Sequence, residues 1–181
     1  LLDRKDDSKA NLLAFPAQSN FSGVVHPLDL IGEAHEKGWD VLLDGARADL
    51  LQEALQTLRS TGVEIEERPT GIRVARNGGG LSAVSVETQP FPGFPTDLQA
   101  QLIALMCMAN GTSQVRETIF ENRFMHVQEL ARLGARIELK GDTALVTGVS
   151  GLRGAQVMAT DLRASVSLII AGPAAQGETV I

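Results

Sequence analysis

Residues 55–66 read LQTLRSTGVEIE, and residues 127–138 repeat this pattern as VQELARLGARIE. Each copy places apolar residues at helical spacing, then a glycine, then an alternating apolar and polar run that is typical of a strand. Further along, LSAVSV at 81–86 is matched by LRGAQV at 152–157. Two matches in the same order indicate an internal repeat and not a chance similarity.

A third match follows in each copy, with TDLQA at 96–100 and TDLRA at 160–164. The separation between matched positions falls from 72 residues, between Gly62 and Gly134, to 64 residues at this third match. An extra loop around 89–93 in the first copy accounts for most of this difference. Each copy is therefore predicted to run helix, strand, strand, strand, helix.

The second helix of each copy, at 98–108 and 162–172, is apolar on nearly all sides. A helix without a polar face must be enclosed by other elements. We therefore predict an α/β fold in which repeated units pack these helices inward, with sheets and the more polar helices outside. Units of this size that cannot bury their own apolar face must stack on a neighbour.

The composition is that of an ordinary globular domain, with 181 residues, 44% of them apolar and 21% charged. The net charge of −6 argues against nucleic acid as a partner, because phosphate binding requires a basic face. The absence of a long apolar segment and of a signal-like start predicts a cytoplasmic protein without membrane contact. The single cysteine, Cys107, lies in an apolar run and is predicted to be a buried side chain.

The rest of the chain reads as short elements that precede and join the repeats. Residues 1–9 are charged and unpatterned, which predicts a frayed or artificially added start. The pattern predicts strands at 11–15, 40–44, 63–66 and 71–76 and helices at 27–38 and 49–59. The run NGGG at 77–80 lacks the Lys-Ser/Thr of a phosphate-binding loop, and we expect a hairpin turn that joins strand 72–76 to strand 81–86.

Both inner helices begin with Thr-Asp-Leu, and the simplest interpretation is that these residues only start a helix. Thr96 is a natural N-cap residue, and Gln99 three positions later completes a capping-box pattern. Asp97 then lies in the first turn, where the helix dipole favours a carboxylate. Thr160 and Asp161 permit the same interpretation for the second copy.

Two arginines weaken that simple interpretation. Arg163 follows Asp161 in a first helical turn, where an unpaired cation opposes the dipole. Arg123 lies in a second polar turn that also precedes a helix. Two arginines, two aspartates and open helix N-termini are the groups that bind an anionic substrate. A carboxylate held near such a cluster can also accept a proton.

Three segments carry a close resemblance to a known family, namely FPTDLQAQ at 94–101, FENRFMH at 120–126 and AQVMATDLRAS at 155–165. They resemble, in the right order, the signature segments of UDP-N-acetylglucosamine 1-carboxyvinyltransferase. The resemblance covers residues 45–181 almost without gaps. It implies an inside-out α/β barrel of repeated βαβαββ units, with inner helices and outer sheets, of which this chain holds a part.

The resemblance also implies a reaction. Enzymes of this family move the enolpyruvyl group of phosphoenolpyruvate onto the 3-hydroxyl of the sugar in peptidoglycan precursor synthesis, with no metal and no organic cofactor. By motif, Asp97 is the expected base and Asp161 assists at the reacting carbon, while Arg123 and Arg163 hold phosphoenolpyruvate. The nucleotide-sugar site is expected to be lined by Thr96, Ile119 and Phe120.

Other parts of the family pattern are not found in the sequence. The family's second domain, with a reactive cysteine loop, a Lys-Asn pair and further arginines, has no counterpart, and Cys107 lies inside a core helix. We therefore expect a partial enolpyruvyl transferase domain that is inactive alone. We also expect that the surface left by a missing repeat favours self-association.

Residues 10–44 have a different resemblance. The run FPAQSNFSG at 15–23, followed by GWDVLLD at 38–44, is similar to molybdenum cofactor sulfurase, a pyridoxal-phosphate protein of the class V aminotransferase type. That resemblance implies that Asp44 pairs with the pyridine nitrogen, but the Schiff-base lysine segment is absent. Two alternatives therefore stand beside the transferase, namely an engineered or recombined chimera without activity and a fragment of a sulfur-transfer protein.

Overall fold

The computed structural model describes residues 12–15, 40–44, 48–68, 71–76 and 78–181. Its strands are β1 (Leu12–Phe15), β2 (Asp40–Asp44), β3 (Val63–Arg68), β4 (Gly71–Arg76), β5 (Ser85–Glu87), β6 (Thr112–Arg116), β7 (Arg136–Lys140), β8 (Thr143–Thr147), β9 (Leu152–Arg153) and β10 (Ala175–Gln176). Its α-helices are α1 (Gln52–Ser60), α2 (Gln99–Met106), α3 (His126–Arg132) and α4 (Leu162–Ala171). Short 3₁₀ turns lie at Ala48–Leu50, Thr96–Leu98 and Gly172–Ala174.

The strands form two four-stranded sheets with the same topology, and this confirms the repeat. The first sheet has the order β1-β2-β4-β3 and the second the order β5-β6-β8-β7. In both sheets the first pair is parallel and the other two pairs are antiparallel. The second sheet with α2 and α3 is thus one βαβαββ unit, and the described elements of the first, β1, β2, α1, β3 and β4, follow the same order. A third unit begins with β9, α4 and β10, whose strands pair in parallel.

The strands predicted at 11–15, 40–44, 63–66 and 71–76 are confirmed within the described residues, whereas the strand predicted at 81–86 is shortened to Ser85–Glu87. The helix predicted at 49–59 is also confirmed and corresponds to the first 3₁₀ turn followed by α1. The two helix-to-strand turns are also equivalent in the two units. Gly62 follows α1 and Gly134 follows α3, with φ angles of 92° and 91°. Glycine adopts this left-handed conformation without a steric penalty, so the shared glycine fixes where each helix ends and its strand begins. The predicted helix at 27–38 and the start at 1–9 lie outside the described residues.

The core forms where α2 and α4 pack together, with α2 against β6 and β8 of the second sheet. Ile103, Met106 and Leu168 are fully buried there. The predicted enclosure holds for α2 but is only half right for α4, because Leu162 is 83% exposed and Ile170 is 38% exposed. Only one side of α4 faces α2 and the neighbouring helix α3, so its opposite side stays open among the described residues.

The hairpin predicted across the NGGG run is wrong. Strand β4 pairs with β2 and β3 in the first sheet, whereas β5 pairs with β6 in the second. Residues that follow the run instead connect one unit to the next, and the backbone N–H of Ser82 donates to the carbonyl of Thr61 at 2.8 Å. The local pattern was compatible with a hairpin, but the choice of pairing partner is set by the repeat.

Cys107 is fully buried, as predicted, and burial raises the pKa of its thiol to about 12. The Sγ atom contacts the Ile103 carbonyl one helical turn earlier, at 3.2 Å. The cysteine therefore acts as a small core side chain. Among the described residues, no helix is long and apolar enough to cross a membrane.

Candidate functional site

The start of α2 does not have the predicted capping box. A 3₁₀ turn, Thr96–Leu98, precedes the helix, and the Thr96 side chain does not bond to a helix N–H. The Thr96 hydroxyl instead donates to Glu117 Oε2 at 2.7 Å, and the Gln99 side chain is buried. The extra 3₁₀ turn moves the first α-helical residue to Gln99, so Thr96 lies too early to cap it.

The start of α4 is capped by Asp161 and not by Thr160. The Asp161 carboxylate accepts the backbone N–H groups of Arg163 at 2.8 Å and Ala164 at 3.0 Å. These bonds, first that of Ala164, hold the pKa of Asp161 below its ordinary value against the opposing effect of burial, and the positive charge of Arg163 lowers it further. Asp161 is therefore held as a carboxylate with a fixed orientation.

The structure brings the two predicted arginines and both aspartates into one cluster. Arg123 Nη1 lies 3.1 Å from Asp97 Oδ1, and Arg163 Nη1 lies 3.5 Å from the same oxygen. Arg163 Nε also lies 3.8 Å from Asp161 Oδ1. The Asp97 side chain is 77% exposed. Exposed ion pairs contribute only about 0–1 kcal/mol, so an incoming anion or hydroxyl can exchange for one of these contacts at little cost.

Ile119 and Phe120 lie in the loop that follows β6. The Arg123 guanidinium lies over the Phe120 ring, 3.9 Å from its centroid, and this cation–π contact orients both side chains. Phe120 is 51% exposed. An open groove of about 780 Å³ runs along this loop and is lined by both residues. Its size lies within the range of small-molecule sites, and an exposed ring at its edge can stack on a planar ligand.

Glu117 is a site residue that the sequence interpretation missed. It is 3% exposed, and its carboxylate accepts hydrogen bonds from both the Thr96 side and the Phe120 loop. The signal was present in the alternation of β6, where Ser113 and Val115 are buried and their neighbours are exposed. Two residues beyond Val115, the same alternation places Glu117 on the inward face.

Two buried polar side chains beside the cluster were also missed. Gln99 is 1% exposed and His126 is 3% exposed, and the Nε2 atom of each has no hydrogen-bond partner within the described structure. Both line a small pocket between the starts of α2 and α4, together with Arg123, Asp161 and Arg163. Burial lowers the pKa of His126 to about 4, with Asp161 opposing and Arg163 adding to the shift. The imidazole is therefore neutral at pH 7.

In the described ranges, no group of three or more His, Cys, Asp or Glu side chains is arranged to hold a metal ion. The cluster of Arg123, Arg163, Asp97 and Phe120 offers two guanidinium groups for an anion, an exposed carboxylate for a hydroxyl and an aromatic face for a planar group.

The family described as EPSP synthase (3-phosphoshikimate 1-carboxyvinyltransferase) matches residues 30–181. The chain belongs to this family. A curated relative from Methylobacterium nodulans, UDP-N-acetylglucosamine 1-carboxyvinyltransferase, is 69% identical over 144 residues, which cover 80% of this chain and 34% of the relative. The protein of the same name from Chelativorans sp. is 66% identical over 144 residues, with the same coverage of 80% and 34%. The chain thus spans about a third of the length of these relatives.

Solved structures agree with the family. The enolpyruvyl transferase NikO from Streptomyces tendae has a TM-score of 0.71 and 27% identity, and the match covers 77% of this chain and 33% of NikO. EPSP synthase from Acinetobacter baumannii has a TM-score of 0.57 and 20% identity over 94% of this chain and 40% of that protein, which shows the fold alone. The predicted inside-out α/β barrel type is therefore confirmed.

The comparisons give no support for the resemblance of residues 10–44 to molybdenum cofactor sulfurase. The family match begins at residue 30, before the predicted boundary at 45. In the structure, β1 and β2 pair in parallel in the same way as β5 and β6 of the second unit. These two strands therefore occupy the positions that the repeated fold requires.

Proposed function

We propose that this chain carries one part of the substrate site of a UDP-N-acetylglucosamine 1-carboxyvinyltransferase. The second substrate of that enzyme is phosphoenolpyruvate. The observation that carries the proposal is the position of Asp97, an exposed carboxylate within 3.5 Å of both Arg123 and Arg163. The name of the curated relatives supports the choice of substrates. So does the identity of 69%, far above what a shared fold alone requires.

In this proposal Asp97 accepts the proton of the sugar 3-hydroxyl. Its exposure leaves the second carboxylate oxygen accessible to a ligand, while Arg123 and Arg163 hold the first. General-base catalysis requires a carboxylate within hydrogen-bond reach of the hydroxyl. Asp97 makes no capping bond at the start of α2, so its second oxygen is open to such a hydroxyl.

Arg123 and Arg163 are proposed to hold the anionic phosphoenolpyruvate. Guanidinium groups bind carboxylate and phosphate through paired N–H donors, which fix orientation as well as charge. Asp161 is proposed to act at the reacting carbon, where its two helix N–H bonds keep its carboxylate in place. The nucleotide sugar is proposed to contact Thr96, Ile119 and Phe120.

Because the chain spans about a third of its relatives, we expect the 181-residue chain to bind ligand without turnover. Calorimetric titration with UDP-N-acetylglucosamine tests this proposal. We expect a Kd of roughly 1 mM or below, which corresponds to about −4 kcal/mol. Asp97→Ala and Arg123→Ala should each weaken binding at least tenfold.

Matched controls are available in the first sheet and its helix. Glu66→Ala and Arg59→Ala remove an exposed carboxylate and an exposed guanidinium that are paired with Arg68 and Glu67 and lie in the first unit. Both should bind like the unchanged chain. No heat at several millimolar ligand from folded protein, or equal losses in the controls, would refute the proposal. The predicted self-association and cytoplasmic location stay predictions, the first of which sedimentation velocity can test.

A further inference from the structure

We propose that Glu117 is a positioning residue that orients Arg123 and Thr96 toward the ligand by accepting hydrogen bonds from both sides of the site. This inference rests on the proposed function, which supplies the identity of the ligand. Glu117 directly follows β6 and is 3% exposed. It touches neither Arg123 nor Asp97 by any contact that the structure shows, so its action on them is indirect.

The carboxylate is held by four uncharged donors. Oε1 accepts the Thr88 hydroxyl at 2.9 Å and the backbone N–H groups of Ile119 at 2.9 Å and Phe120 at 3.2 Å. Oε2 accepts the Thr96 hydroxyl at 2.7 Å. A buried carboxylate without such donors is strongly unfavourable, so the donors and the charge hold one another in place.

One branch of this network runs through Thr96 to Arg123. A hydroxyl has one proton, and Thr96 gives that proton to Glu117. Its lone pairs are then free to accept Arg123 Nη1, which lies 3.0 Å away. The same Nη1 atom reaches Asp97 Oδ1 at 3.1 Å. Glu117 therefore fixes the direction of the Thr96 hydroxyl, and this direction decides whether Arg123 finds an acceptor there.

The other branch runs through the loop that carries Phe120. The bonds from the Ile119 and Phe120 amides to Oε1 tie this loop to the end of β6. The Phe120 ring in turn lies under the Arg123 guanidinium at 3.9 Å. Besides its contact with Asp97, Arg123 thus has two supports, a hydroxyl and a ring, and the same buried carboxylate holds both.

Thr88 holds Glu117 in place through a second set of hydrogen bonds. Its hydroxyl donates to Glu117 and accepts the backbone N–H of Thr118 at 2.9 Å, while the Thr118 hydroxyl donates to the Thr88 carbonyl. These bonds link the ends of β5 and β6. Because its neighbours are held by hydrogen bonds, the Arg123 side chain loses little conformational entropy when ligand binds, and this favours affinity.

Glu117→Gln is the first test, because the amide has the same shape as the carboxylate. Only the contact with the Thr96 hydroxyl changes, from acceptor to donor. The amide oxygen can replace Oε1, but the amide N–H₂ then faces the Thr96 hydroxyl as a donor. Thr96 then loses the acceptor that fixes its proton, and the proton is free to rotate into the direction of Arg123, another donor. We expect roughly tenfold weaker binding of UDP-N-acetylglucosamine, the size of one lost charge-assisted contact.

A double-mutant cycle separates positioning from general damage. Thr96→Val removes the hydroxyl through which Glu117 acts, so Glu117→Gln should cost little further affinity in that background. Ser113→Ala is the matched control, because Ser113 is a buried polar residue of β6 that accepts the Val84 N–H at 3.2 Å. It should lower Tm without changing Kd. Fully additive losses, or unchanged affinity in a folded Glu117→Gln chain, would overturn the proposal.

A second readout does not need the ligand. The Nε–Hε NMR signal of Arg123, assigned through its loss in Arg123→Lys, should move in both Glu117→Gln and Thr96→Val and stay in place in Ser113→Ala. If the unchanged chain binds no nucleotide sugar, the proposed function fails, while this signal still reports on positioning. If Glu117→Gln does not fold, an unmoved Arg123 signal in Thr96→Val alone contradicts the relay.

Discussion

The starts of the two inner helices have the same three residues, Thr-Asp-Leu, but their aspartates have different roles, although both lie within 3.8 Å of Arg163. Asp161 caps its own helix, α4, and its carboxylate accepts hydrogen bonds from two backbone N–H groups. Asp97 lies on a 3₁₀ turn, points outward and contacts two arginines. The difference teaches that a repeated motif keeps its fold while one copy exchanges a capping role for contacts with two arginines.

The surroundings explain this divergence. Behind Thr96 lies the buried carboxylate of Glu117, which draws the threonine hydroxyl away from the helix N-terminus. Thr160 is exposed and makes no side-chain hydrogen bond within the described structure, so the next residue caps α4. One buried side chain from a neighbouring strand thus changes how the same local sequence begins a helix.

The largest predicted effect contrasts the bodies of the two helices. Ile103 in α2 is fully buried, whereas Ile170 in α4 is 38% exposed. Ile103→Ala should lower the free energy of unfolding by about 2–5 kcal/mol, because a cavity remains in the core. Ile170→Ala should cost less than about 1 kcal/mol. Urea unfolding measures both, and equal losses would mean that α4 is as enclosed as α2.

The next effect concerns His126, which lies between the two helix starts. Its pKa is lowered to about 4 by burial, so the unfolded chain binds more protons below pH 6.5. Stability is therefore fully present above pH 6.5 and is lost as pH falls toward 4, by an amount on the order of 3 kcal/mol. His126→Gln should remove this slope. A slope that persists in the variant would assign it to other groups.

A smaller effect separates the two aspartates directly. Asp161→Ala should lower the free energy of unfolding by about 1 kcal/mol, the usual loss of an N-cap. Asp97→Ala should leave it within about 0.5 kcal/mol, because its ion pairs are exposed. Thermal unfolding of the two variants at pH 7 measures the contrast. If Asp97→Ala is the more destabilising change, Asp97 is the structural carboxylate and the contrast between the two helix starts is reversed.

The smallest effect is the pH dependence of the Asp161 cap. Its pKa is lowered in the folded chain, so its contribution is present above the ordinary value near 4 and is lost only as pH falls through the folded pKa. The stability difference between the unchanged chain and Asp161→Asn should therefore be constant from pH 7 to 5 and shrink below about pH 4. A difference that already shrinks between pH 7 and 5 would not come from this carboxylate.

Much of the fold could be predicted because the repeat is visible in local patterns. The paired glycines, the alternating strands and the two apolar helices each leave a signal within about a dozen residues. The hairpin after β4 was wrong because pairing between distant strands leaves no such signal. Three of the site residues, Asp97, Arg123 and Arg163, were predicted through motifs, and the structure brings them together.

The supporting residues were harder to predict. Glu117 acts through burial and long-range hydrogen bonds, and Gln99 is buried without a partner for its Nε2 atom within the described structure. Neither belongs to a charged pair that spacing reveals. The alternation of β6 continues to Glu117 and, in retrospect, marks it as inward-facing. A polar residue at an inward-facing position of a strand, next to a motif, thus indicates a buried residue that positions the side chains of the site.

We propose that the start of α2 and the Phe120 loop bind the nucleotide sugar while the rest of the chain supports them. NMR titration of the full chain with UDP-N-acetylglucosamine tests this claim most directly. The amide signals of Asp97 and Phe120 should shift in a saturable way, and those of Glu66 and Arg68 in the first sheet should not. Unmoved signals at Asp97 and Phe120, or shifts centred on the first sheet, would contradict the account.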